Sequence, residues 1–162
     1  MIWLAPLFTL LGTALGAGAT LLADRIRWRR ETSRQDQRAR RDSYVVFLTA
    51  VQDANAGVRS ALAGDHAPDE SRSSAARSAF RGAGLFAARE QLALMAPDAV
   101  VAAADQALRQ ARQLRDLVIA GRRIDDAGYL RALDRFQAAL DAVRSAMRTD
   151  LGTAPLTVEL AL

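Results

Sequence analysis

Apolar residues along this chain fall into two regimes, one unbroken stretch followed by several periodic stripes. Ile2 to Ala23 contains no charged residue, and Asp24-Arg25-Ile26-Arg27-Trp28-Arg29-Arg30 follows at once. At about 1.5 Å of rise per residue, those 22 positions make a helix of about 33 Å, against a hydrocarbon core of about 30 Å. Residues 1–23 are therefore expected to form a single transmembrane anchor. No apolar stripe runs through residues 24–43, which read as a basic helical stalk. From Tyr44 the stripe begins: Tyr44, Leu48, Val51, Ala54, Val58 and Leu62 recur in steps of three or four, the helical period.

Three further segments repeat that period. A second helix is expected from about Glu70 to Met95, with Ala76, Phe80, Ala83, Phe86, Ala87, Leu92 and Leu94 on its apolar side. Gly82 and Gly84 interrupt it, and each costs a helix interior about 1 kcal/mol relative to Ala, so a kink or break belongs there. The third segment runs from Asp98 to Ala120 with Val100, Ala104, Ala107, Ala111, Leu114 and Val118, and stops at Gly121. The fourth starts near Asp125-Asp126 and carries Tyr129, Leu133, Phe136, Leu140, Val143 and Met147, a four-three alternation that ends at Gly152. Short connections make neighbours antiparallel. The expected fold is thus all-α: a transmembrane helix, a stalk, and an antiparallel bundle of about four helices over 44–152. Residues 153–162 form a C-terminal tail.

Composition sharpens this in three ways. Ala accounts for 35 of the 162 residues, while aromatics are 6% and Gly plus Pro number 14, a balance that favours helices over sheets. Cys is absent, so there is no disulfide framework and no thiolate chemistry. All 22 basic residues are Arg, which reads as coding bias in a G+C-rich genome rather than selection for guanidinium chemistry. Residues 24–42 hold eight Arg and four acids; the chain as a whole is +4, so residues 43–162 are neutral.

The position of that charge carries the topology. Positive residues beside a span stay on the cytoplasmic side, which puts the N-terminus outside and the bundle in the cytoplasm. A cleaved signal peptide is the competing reading, with Ala17-Gly18-Ala19 as a cleavage site. It lacks a basic n-region, and the arginines behind the stretch oppose export. Trp3 and Trp28 bracket the span as interfacial residues, and Arg25, Arg27, Arg29 and Arg30 lie where anionic headgroups would attract them by about 1 kcal/mol each. Membrane lipids are accordingly expected partners. Nucleic acid is not, because basic residues are not interleaved with stacking aromatics. Inside the span, Gly12, Gly16 and Thr20 form a small-residue face of the kind on which lipid-embedded helices associate.

Candidate chemistry is sparse. His66 is the sole histidine and falls in an expected loop; no Lys-bearing phosphate loop, zinc cluster or Glu-x-x-His pair occurs. No cofactor is expected, and the chain does not read as an enzyme. Asp125 and Asp126 sit where a helix N-terminus favours acids, so capping accounts for them.

The runs RARRDSYVVFL (38–48), LALMAPDAVVAAADQALRQARQLRDL (92–117) and YLRALDRFQAALDAVRSAMRTDLG (129–152) resemble the small, often membrane-anchored helical proteins abundant in G+C-rich actinobacteria. The resemblance implies an anchored helical bundle and carries over no functional residue. The expected function is a membrane-tethered protein-interaction or scaffold module on the cytoplasmic face, with a protein partner or a homo-oligomer. The alternatives are a self-oligomerising structural protein of the envelope and an accessory subunit of a larger membrane complex.

Overall fold

A computed structural model describes the backbone of residues 4–64 and 71–153, and the side chains of 35–64 and 71–153 together with Trp28 and Glu31. Among the described residues every element is α-helical: α1 (Leu4–Ala63), α2 (Arg72–Gly82), α3 (Leu85–Met95), α4 (Asp98–Ile119) and α5 (Ala127–Asp150). The chain separates into two compact units, 1–38 and 39–162. Of the first, residues 4–38 are helical backbone belonging to α1. Among the described residues, no helix is long and apolar enough to cross a membrane. The side chains of 2–23, on which the expected transmembrane helix rests, lie outside the described residues, as do His66 and residues 154–162.

The second unit is a helical bundle. Its order follows from who touches whom. Tyr44, early in the bundle part of α1, bonds Asp150 at the end of α5, so these two helices run antiparallel. Gly57 of α1 lies against Ala79 of α2, and Val45, Val46 and Thr49 face Ala87 and Gln91 of α3; rising numbers on α1 meet falling numbers opposite. Arg89 of α3 reaches Asp105 of α4, whereas Phe80 of α2 is covered by Arg115, which makes that pair antiparallel too. The result is an up-down-up-down bundle with α2 and α3 sharing the second leg, and with α4 packed mainly on α5.

The helix ends are where the sequence placed them, for identifiable reasons. Asp126 caps α5, its Oδ1 accepting from the Gly128 and Tyr129 amides at 2.7 and 3.3 Å. Those two bonds, the Gly128 one foremost, hold its carboxyl below the usual carboxylate range. Ser71 caps α2 by accepting from the Ser74 amide. Helices α4 and α5 close alike: Gly121 and Gly152 take positive φ, and the next residue's amide returns to a carbonyl five positions back (Arg122 to Leu117, Thr153 to Arg148).

Among the described residues, twenty-seven hydrophobic ones are buried in one core, and ten of them are alanines. Small side chains let the helix axes approach closely, leaving Tyr44, Phe47, Phe80, Tyr129 and Phe136 to fill the remaining volume. The stripes on α4 and α5 are buried as expected, except that Leu133 is only partly covered; on α1, Leu48 is likewise partly covered, and Phe47 takes a fully buried place.

The second segment departs from expectation. Ala83 ends α2, Gly84 turns left-handed (φ 67°), and α3 restarts with a shifted helical phase. Leu85, Ala88 and Leu92 consequently face the core, while Phe86 is 57% exposed and Leu94 86%. A period read straight across the break assigned Phe86, Ala87 and Leu94 inward; two non-helical residues are enough to rotate the face.

Candidate functional site

Three arrangements of polar and apolar groups stand outside the core. The first is a clasp between the start of the bundle part of α1 and the end of α5. Arg40 Nη1 donates to both Asp150 oxygens, at 3.0 and 3.2 Å, and Tyr44 Oη donates to Asp150 Oδ2 at 2.6 Å. Beneath it Ser43, fully buried, donates to the Arg40 carbonyl at 2.7 Å. Burial, and next the Asp150 hydrogen bond, push the Tyr44 phenol well above its ordinary range, so it is a donor at neutral pH and not a base. This geometry ties two helix ends together; it offers no nucleophile.

The second arrangement lies on α3 and α4. Arg89 holds Asp105 in a two-pronged pair, Nε to Oδ1 at 3.0 Å and Nη2 to Oδ2 at 3.1 Å, and reaches Glu90 at 2.7 Å. The Arg89 hydrogen bond lowers the Asp105 pKa. Arg112 lies 5.2 Å over the Phe86 ring and Arg115 4.7 Å over Phe80. With Arg89, Arg109 and Arg112 around Asp105, Arg115 paired to Asp116, and the aromatic faces already occupied, the polar groups of this surface are engaged with one another.

The third is an apolar groove of about 370 Å³ between α1 and α3. Its α1 wall is Val45, Val46 and Thr49; the opposite wall is Ala83 and Gly84 of the α2–α3 turn with Ala87 of α3. Val45 is 56% exposed and Val46 43%, on the side of α1 turned away from Phe47 and Val51. A smaller hollow of about 260 Å³ between α1 and α5 has Asn55 and Arg59 above Phe136 and Leu140. The Asn55 carbonyl oxygen lacks a hydrogen-bond partner, but it is itself buried and so out of reach of a ligand in that hollow.

Of the residues singled out in the sequence, Trp28 is described and is 77% exposed. Arg25, Arg27, Arg29, Arg30, Gly12, Gly16 and Thr20 lie on the α1 backbone with side chains outside the described residues, and Trp3 lies outside altogether. Both the clasp and the groove escaped the sequence reading. Asp150 is remote in sequence from Arg40, and Val45 and Val46 looked like ordinary neighbours of the Tyr44 stripe. The exposed side of α1 gave one signal: Val45 and Val46 fall outside the Tyr44–Leu48–Val51 stripe. Among the described residues, no three His, Cys, Asp or Glu side chains converge as metal ligands.

No family model, no curated protein and no solved structure matches this chain.

Proposed function

We propose that this protein is a membrane-tethered, non-enzymatic interaction or scaffold module whose bundle works on the cytoplasmic face. The observation that carries the reading is the junction of an uncharged 22-residue stretch, 2–23, with Arg25, Arg27, Arg29 and Arg30. Residues 24–43 then serve as a helical stalk and 44–152 as the presenting body. Support for an interaction role comes from the α1–α3 groove, an apolar surface left open on a bundle whose other helices bury their stripes. Arg40, Tyr44, Asp150, Arg89 and Asp105 are engaged in the clasp and a surface ion pair, which favours binding over chemistry.

The test is flotation of the full chain with lipid vesicles, before and after alkaline carbonate. It should float after carbonate treatment, and deletion of 2–23 should abolish flotation. Protease added outside right-side-out membrane vesicles should leave the bundle intact. A full chain that stays in the soluble fraction, or a bundle digested from outside, overturns the reading. The self-oligomerising alternative draws on the Gly12, Gly16 and Thr20 face. It predicts that Gly12→Leu with Gly16→Leu breaks a detergent-stable oligomer.

A further inference from the structure

The α1–α3 groove has polar ends as well as an apolar floor. On α1, Asp42, Val45, Val46, Thr49 and Asp53 follow one another at helical spacing and so share one face. Both acids are exposed, and neither has an ion-pair partner among the described residues. Seven other acids of the bundle do pair with arginines: Glu90, Asp105, Asp116, Asp125, Asp126, Asp141 and Asp150. Asp98 and Asp134 of the bundle are likewise outside any ion pair among the described residues, so what marks Asp42 and Asp53 is their place at the two ends of one apolar face. Asp53 itself lines the groove. The opposite wall is low, since Ala83, Gly84, Ala87 and Ala88 present little beyond backbone, so another helix could approach closely.

We infer that this groove docks a partner helix with an apolar face and two basic residues about three turns apart, one for Asp42 and one for Asp53. Eleven positions separate the two acids, about 16 Å along a helix. A basic partner gains at Asp53 in the groove and at Asp42 beyond its end, where the exposed Arg38 and Arg41 temper the gain, whereas an acidic one is repelled at Asp53; charge therefore selects among apolar helices that would otherwise fit alike. The groove takes such a helix in the groove-binding manner, with anchors recurring at three and four residues. The inference rests on the interaction-module reading and names the surface and partner chemistry for it.

The experiment uses the full chain in zwitterionic lipid nanodiscs and two synthetic helical peptides of about five turns. Both carry the same Leu/Ala face; one has Arg at two positions eleven apart, the other Glu there. Binding is read by fluorescence anisotropy. The Arg peptide is expected to bind about tenfold more tightly than the Glu peptide, from two partly shielded ion pairs. Asp42→Arg with Asp53→Arg should reverse that order, and Val46→Asp should abolish binding of both, with the helical circular dichroism unchanged. Equal affinity for the two peptides, or no binding by either, overturns the proposal. If the Arg peptide binds but neither the acid nor the valine variant alters it, the module reading stands and the groove assignment falls.

The absence of cysteine gives a second readout, because Val46→Cys creates a unique attachment point for a photo-crosslinker. Crosslinks to the Arg peptide support the assignment. Crosslinks that persist to residues 154–162 of the same chain, or to a second copy, in saturating Arg peptide overturn it.

Discussion

Gly57→Ala tests a close approach of α1 and α2. Alanine is the better helix former by about 0.8–1.0 kcal/mol, so on propensity alone the change should stabilise α1. The structure opposes it: a Cβ built on Gly57 would lie 2.5 Å from the Ala79 Cβ and 3.6 Å from its Cα. Carbon atoms attract best at about 3.5–4.0 Å, so α1 and α2 would have to separate by about 1 Å. Ala79 has no rotamer by which to yield, and overpacking of this kind costs about 1–3 kcal/mol. Overpacking should win, for a net loss of about 1 kcal/mol, or about 4 °C in Tm. Thermal unfolding of the full chain, followed by circular dichroism, reads it directly. Gly82→Ala is the control, since nothing lies within 4 Å of a Cβ there; it should be neutral or stabilise by about 0.5 kcal/mol. Ala79→Gly in the Gly57→Ala background restores the space, giving a coupling of about 1–2 kcal/mol across the double-mutant cycle. A coupling within about 0.3 kcal/mol of zero, or equal stabilisation by both Gly→Ala changes, would refute the close α1–α2 contact.

Other outcomes follow from the same structure. Leu92→Ala should cost about 2–5 kcal/mol and Leu94→Ala less than about 0.5 kcal/mol, as one side chain is buried and the other is not; urea midpoints that shift equally would contradict the restart at Gly84. Tyr44→Phe removes the hydrogen bond to Asp150 and should cost about 1–2 kcal/mol by denaturant titration at neutral pH. Because the folded Tyr44 pKa is raised, its stabilisation is complete below the unfolded value of about 10 and is lost as pH rises toward the folded one; the stability gap between wild type and Tyr44→Phe should therefore narrow at strongly alkaline pH. Asp105 has a lowered pKa, so its contribution is present above about pH 4 and disappears as pH falls through the folded value. Asp105→Asn should cost about 1 kcal/mol or less at pH 7, given the solvent exposure of the pair, and should match wild type in strong acid. A gap that widens on acidification would exclude the Arg89 pair as its source.

Local chemistry made most of the helix ends and faces legible in advance. Asp98 and Asp126 could be read as starts, Gly121 and Gly152 as stops, and the periods of α4 and α5 as buried faces, because each depends on residues within a turn or two. Three things depended on the folded chain. The phase of α3 was set by the backbone at Ala83 and Gly84, which a constant 3.6-residue period cannot register. The Arg40–Asp150–Tyr44 clasp joins groups more than 100 positions apart, brought together only once α1 and α5 lie antiparallel. The α1–α3 groove exists because the other side of α1 is spent on the core, leaving Val45 and Val46 uncovered between two acids. Periodicity says which residues could be inside. Only the arrangement of neighbouring helices decides which apolar face remains outside, since burial is a property of the pair and not of either helix.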